Sequence, residues 1–130
     1  MTNYGALGKA EVMQQRTKQF ALRILKLSQA LPKSEEAKIV GRQVLRSGTS
    51  VGANYRAVCR ARSRREFISK LSVVIEEADE TVFWFELLIE GGIVAARKLE
   101  SLLREGNELL AIFGASLRTA RARSAKGRRE

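Results

Sequence analysis

The side chains with the clearest chemical potential in this sequence are arginines, and they fall into two groups. The first group lies at the middle of the chain and consists of Arg56, Arg60, Arg62, Arg64 and Arg65. The second lies near the carboxyl end and contains Arg118, Arg121 and Arg123. A guanidinium group donates two parallel hydrogen bonds to one phosphate or carboxylate, so both groups predict an anionic partner. The alternative is a solvated basic surface that also neutralises acidic residues on a neighbouring subunit.

Metal and nucleophilic chemistry have little support. The chain has no histidine and a single cysteine, Cys59, so the Glu-x-x-His ligand pairs of ferritin-like bundles and structural zinc sites are both absent. Cys59 has no histidine to activate it, and a small buried thiol is the expected state. The acidic run at 76–80 is expected to be a solvated or salt-bridged helix face, and the glycines at 48–52 lack the spacing and lysine of a P-loop. We therefore expect no catalytic residue, metal or cofactor, and no enzyme activity.

The overall charge points in the same direction as the arginine groups. The 130-residue chain has a formal net charge of +10, and a protein this basic favours nucleic acid, an acidic protein or an anionic membrane surface. No apolar run is long enough to span a membrane, and the first ten residues lack the apolar core of a signal peptide. The single cysteine excludes an intrachain disulfide. A cytoplasmic location is the expectation, with no membrane partner.

The elements that must position these side chains are predicted to be four helices. Apolar residues recur at helical spacing over about 9–31, 35–61, 64–90 and 94–120. The breaks between these segments carry local signals, namely Pro32, a Ser34 cap, a Ser63–Glu66 capping box and a Gly91-Gly92 pair. One domain over 9–120 is predicted, with disordered residues at 1–8 and a basic, disordered tail at 121–130.

The second predicted helix is unusual because its inner stripe includes Gly41, Gly48 and Gly52. Each glycine in a helix interior costs about 1 kcal/mol relative to alanine, so a loop at 47–54 is a real alternative. The periodicity continues through the glycines, and small residues permit close helix contact. One long helix is therefore favoured.

The predicted fold is an all-α, antiparallel up-down four-helix bundle, because short turns favour antiparallel neighbours. In that topology the second and fourth helices end on the same side, which would merge the two arginine groups into one basic pole. Val82, Phe83, Trp84 and Phe85 are four consecutive large apolar residues, and one bundle cannot bury all four directions of a helix. We take these four as the interface of a homo-oligomer.

Four segments carry a resemblance to a known family: residues 16–20, 45–55, 64–68 and 76–80. The run Arg-Ser-Gly-Thr-Ser-Val-Gly-Ala-Asn at 46–54 is the most specific of them. The chain resembles the four-helix-bundle proteins of the 23S ribosomal RNA intervening-sequence type. The resemblance implies a left-handed up-down bundle, a ring-like homopentamer and a bacterial source. It also implies a relation to accessory proteins of diversity-generating retroelements, which bind a reverse transcriptase and nucleic acid. No catalytic residue comes with it.

Together these observations predict a non-enzymatic, oligomeric, basic bundle that contacts RNA or DNA through phosphates. The alternative is an adaptor whose basic pole grips an acidic partner protein, for example a nucleic-acid enzyme. Binding through several phosphates must weaken steeply with salt, which separates the two hypotheses.

Overall fold

The computed structural model describes residues 8–129, with side chains up to residue 127, and this part of the chain forms four α-helices without any strand. The helices are α1 (Lys9–Ala30), α2 (Glu35–Val58), α3 (Arg64–Glu90) and α4 (Ala96–Arg129). The predicted all-α class and the predicted four-helix bundle are confirmed. Within the same residues, no helix combines the length and apolar character that crossing a membrane requires.

The helix ends follow local chemistry. The Ser34 hydroxyl accepts a hydrogen bond from the backbone N–H of Ala37 at 3.2 Å, and the Ser63 hydroxyl accepts from the N–H of Glu66 at 3.0 Å. These caps satisfy amides that have no partner inside the helix. Gly92, after α3, has a φ of 72°, a backbone conformation that favours glycine. The signals read from the sequence thus begin and end the first three helices where predicted, within a few residues.

The glycine-rich segment at 47–54 is helical, so the predicted long α2 is correct and the loop is not. Gly48 packs against Ile24 of α1, and a Cβ atom added to Gly48 would overlap the end of the Ile24 side chain. Gly52 faces the backbone of α1, where an added Cβ would lie 3.2 Å from the Thr17 carbonyl oxygen. The contact between α1 and α2 is close because these positions carry no side chain.

One core lies between the four helices. α2 packs against α1 and α3, and α3 also packs against α4, while α1 and α4 are the least closely packed of the neighbouring pairs. The centre is crossed by two aromatic pairs: Phe20 of α1 meets Phe85 of α3 edge-on at 6.1 Å, and Tyr55 of α2 meets Phe113 of α4 at 5.1 Å. α1 and α3 therefore occupy opposite corners of the bundle, as do α2 and α4.

Polar pairs join neighbouring helices and fix their register. Arg16 of α1 donates to Glu105 at 3.1 Å and to Glu108 at 3.0 Å, whereas Arg23, two turns further on, donates to Ser101 at 2.8 Å. α1 and α4 therefore run in opposite directions. This polar seam links α1 to α4 along the side of the bundle where neighbouring helices pack least closely.

A second set of polar contacts joins α2 and α3. Arg46 pairs with Glu77 at 3.2 Å and also with Glu80. Beneath this pair, the buried Thr81 and Ser47 hydroxyls are hydrogen-bonded at 2.8 Å. Burying two hydroxyls costs little here because each finds a partner.

The fourth helix runs further than predicted. The sequence stripe suggested an end near Ala120 and a disordered segment at 121–130, but the structure continues α4 to Arg129. Alanine, arginine and lysine dominate this segment, all of them good helix formers, and no proline interrupts it. The predicted disordered start at 1–8 falls mainly on residues 1–7, outside the described part of the chain.

Candidate nucleic-acid interface

An open cleft of about 850 Å³ lies at the end of the bundle where α2 and α4 finish. Its walls come from the start of α1, the turn between α2 and α3, and the last turns of α4. The floor is apolar, with Met13, Tyr55, Val58 and Phe113 all buried beneath it. The cleft exists because α4 continues past the end of α2, so one wall is taller than the other.

Three of the eight predicted arginines line this cleft. Arg62 and Arg64 stand in and after the α2–α3 turn, Arg123 stands on α4, and Lys9 at the start of α1 joins them. The structure therefore brings the two arginine groups together at one end, and we keep the name basic pole for the eight arginines there. The remaining members are exposed but do not line the cleft: Arg56, Arg60, Arg65, Arg118 and Arg121.

Most charges of the basic pole have no ion-pair partner within the bundle. Arg62 lies 3.6 Å from Glu66 but keeps 88% of its side chain exposed. Across the residues whose side chains the structure describes, the other seven have no carboxylate within 4.0 Å. Arg16 and Arg46, by contrast, each pair with two glutamates on a neighbouring helix. The arginines that hold the fold together are thus different from those at the pole.

Tyr55 and Cys59 also line the cleft. Burial, followed by the neighbouring Cys59 thiol, raises the pKa of Tyr55, so its hydroxyl stays protonated and can donate a hydrogen bond. Cys59 itself is exposed, which corrects the expected buried thiol. The reason is that α2 ends at Val58, and Cys59 already belongs to the turn.

The acidic run of α3 is part of the fold. Glu77 and Glu80 pair with Arg46, and the Trp84 indole N–H donates to Glu80 at 3.0 Å. This indole, followed by Arg46, lowers the pKa of Glu80. Among the residues that the structure describes, no cluster of three histidine, cysteine or acidic side chains could hold a metal ion. The run matches a salt-bridged helix face.

The predicted oligomer interface divides into two halves. Val82 and Phe85 are buried in the core of the bundle and offer little surface to another subunit. Phe83 is 52% exposed and Trp84 is half-buried beside it, with ring centroids 4.9 Å apart. A helix turns by about 100° per residue, so four consecutive residues point in four directions and only some reach the surface.

Sequence reasoning missed other exposed apolar side chains. Leu87 follows Phe83 by one turn on the outer face of α3, and we call these two residues the α3 patch. Leu22 and Leu25 are 44% and 41% exposed on α1, and we call them the α1 patch. The available signal was that both leucines lie off the inner stripe of the first helix.

The comparisons with known proteins agree with this geometry. The profile of the 23S rRNA-intervening sequence protein family matches residues 9–115. The structure of a protein of unknown function from the S23 ribosomal protein family of Bacteroides thetaiotaomicron is similar, with a TM-score of 0.79 and 34% sequence identity. The similarity covers 85% of this chain and 99% of that one. No curated protein matches. The match over most of the chain, on a four-helix bundle, shows that the protein belongs to the 23S rRNA-intervening sequence protein family.

Proposed function

We propose that the protein is a non-enzymatic, basic helical-bundle protein that binds RNA or DNA through phosphate contacts at the basic pole. The observation that supports this most directly is the set of exposed arginines at one end of the bundle, seven of which have no acidic neighbour among the described side chains. Unpaired guanidinium groups lose little on binding because no internal ion pair has to be broken. They also match phosphate better than lysines would.

Such contacts favour affinity over sequence recognition. Phosphates are identical along a strand, so arginines that bind them position the protein without reading bases. Each phosphate neutralised releases condensed counterions, and affinity then falls with salt at a slope near −0.9 per contact on duplex DNA. We expect weak sequence preference and steep salt dependence.

The proposal includes assembly into a homo-oligomer, with the left-handed antiparallel topology and the homopentamer that the resemblance implies. The α1 patch and the α3 patch support it, because α1 and α3 occupy opposite corners of the bundle. They also lie at the same height, since Phe20 and Phe85 meet between them in the core. Two different patches on opposite sides suit a head-to-tail contact, which closes into a ring when the rotation permits. A ring would repeat the basic pole once per subunit on one face.

A salt titration of nucleic-acid binding tests the proposal. Fluorescence anisotropy with labelled RNA and DNA should give a linear fall of log affinity with log salt for the parent protein. Replacing Arg60, Arg64 and Arg65 with glutamine should weaken binding and reduce the slope by up to about 3 on a duplex. Helicity by circular dichroism should not change, because these side chains are exposed.

A matched control separates the pole from net charge. Arg42, Arg97 and Arg104 are also exposed and have no acidic partner among the described side chains, but they lie away from the pole. Replacing these three arginines with glutamine removes an equal number of charges, and this variant should bind nearly as tightly as the parent does. Equal losses in both variants would mean that only net charge matters. Binding of an acidic protein, without binding of RNA or DNA, would give the adaptor hypothesis the lead.

A further inference from the structure

We propose that the cleft at the basic pole accepts an unpaired nucleobase, so that the pole prefers single-stranded to duplex nucleic acid. This inference rests on the proposed function and goes beyond it, because phosphate contacts alone do not distinguish the two. It depends on the combination of an apolar floor with a cationic edge in one opening.

The apolar part of the cleft has no use in binding a phosphate. Phe67 of α3 and Ile112 of α4 line it and are only half-buried, so part of each side chain faces the open space. The buried Tyr55 and Phe113 lie beneath them. An aromatic or aliphatic surface of this kind favours the face of a base, and such stacking tolerates any base. In a duplex, those faces are already covered by neighbouring bases.

The cations are arranged to suit a nucleotide within a strand. Lys9, Arg62 and Arg64 stand on the side of α1 and the α2–α3 turn, while Arg123 stands on α4 across the opening. Every internal base of a strand is flanked by a phosphate on each side. A base inserted in the cleft would therefore bring its two phosphates toward cations on more than one wall. An acidic peptide has no comparable fixed spacing of anion, apolar plane and anion.

Hydroxyl groups in the lining suggest little discrimination among bases. Ser116 and Thr119 of α4 line the cleft beside the protonated Tyr55, and all three carry hydroxyl groups. A hydroxyl rotates to donate or accept, so it can serve the edge of any base. The volume of about 850 Å³ falls within the range of sites that hold a small organic group. We therefore expect the cleft to prefer unpaired bases to paired ones, without selecting among the four bases.

Three probes of equal length test the inference: single-stranded oligothymidine, a DNA duplex, and a single strand of abasic sites. The abasic strand keeps the phosphates and flexibility of the first probe but has no bases. At fixed salt, oligothymidine should bind about tenfold tighter than the abasic strand, the order expected for stacking of one base. It should also bind more tightly than the duplex.

A variant that fills the cleft provides the second arm. Replacing Ser116 and Thr119 with leucine adds apolar volume without changing charge and should abolish the preference for oligothymidine, while duplex binding stays within about twofold. Leucine at Ala111, an exposed position of the same helix outside the cleft, is the control and should preserve the preference. If the filled variant does not fold, the comparison of the three probes on the parent protein still decides.

The outcomes separate this inference from the function on which it rests. Equal affinity of the parent for all three probes would overturn the base site and leave phosphate binding intact. The base site would also be excluded if the filled variant folds and still prefers oligothymidine. The same would hold if the parent protein shows no base preference and an acidic amphipathic peptide occupies its cleft. Failure of all three probes to bind would overturn the proposed function itself.

Discussion

Replacing Gly48 with leucine tests how closely α1 and α2 approach each other. A Cβ atom at Gly48 would overlap Cδ1 of Ile24 and would lie 3.3 Å from its Cγ1 and Cγ2 atoms. Both residues are buried, and Ile24 has 0% exposure. The Ile24 side chain therefore cannot relieve the overlap by moving into solvent, and the two helices must separate or other core side chains must shift.

The expected cost follows from two opposing effects. Overpacking a well-packed core costs about 1–3 kcal/mol, and leucine adds four heavy atoms, which places it toward the upper end. Leucine also forms helices better than glycine, which returns up to about 1 kcal/mol. The net loss in the free energy of unfolding should be about 2 kcal/mol. For a domain of this size, that lowers the Tm by roughly 6–10 °C.

Thermal unfolding followed by circular dichroism measures this loss, at one protomer concentration because assembly makes the Tm concentration-dependent. The same substitution at Gly114 of α4 is the control, since an added Cβ there meets only the Arg118 guanidinium at 3.4 Å. Gly114→Leu should hold or raise the Tm. In an Ile24→Ala background, Gly48→Leu should cost at least 1 kcal/mol less, because the space is now empty. Equal shifts at Gly48 and Gly114 would refute the close approach of α1 and α2.

Three other outcomes are expected. Glu80, whose pKa is lowered chiefly by the Trp84 indole, should stabilise the fold above about pH 4.5 and lose that contribution as the pH falls further, and Glu80→Gln should flatten this part of a stability–pH curve. Arg16→Ala should lower stability by about 1 kcal/mol in urea unfolding at low salt and by less at high salt; an equal loss at both would contradict an ionic seam. Phe83→Glu should weaken the contact between subunits and so reduce the molar mass in light scattering, whereas Ile39→Glu, equally exposed on α2, should not. An unchanged mass for Phe83→Glu would exclude the α3 patch as a contact between subunits.

Much of the fold could be predicted because its signals are local. Pro32, Ser34 and Ser63 act on the backbone within a turn of themselves, so the end of α1 and the starts of α2 and α3 follow from the sequence. The continuity of α2 followed from periodicity, even through glycines that weaken a helix on their own. Gly48 is tolerated because a tertiary contact with Ile24 repays its cost.

The site was less predictable because it depends on contacts between helices. Arg46 and Arg60 look alike in the sequence, yet only Arg46 finds glutamates across a helix interface. Phe83 and Phe85 are two residues apart and equally apolar, and the position of α1 decides that Phe85 lies inside. The cleft itself follows from unequal helix lengths at one end, which no single segment reveals.

The part of α4 that extends beyond Ala120 has a consequence for the coupling between folding and binding. Nine further residues, about 13 Å of helix, lie past Ala120, the last buried residue among the described side chains, and a segment this short would not stay helical alone. Here the bundle has already nucleated the helix, so each residue needs only to propagate it. Like charges one turn apart, Arg118 with Arg121 and Arg123 with Lys126, oppose propagation. A polyanion that neutralises them would shift this local helix–coil equilibrium toward helix, and amide hydrogen exchange at 121–127 should slow on binding while the core stays unchanged.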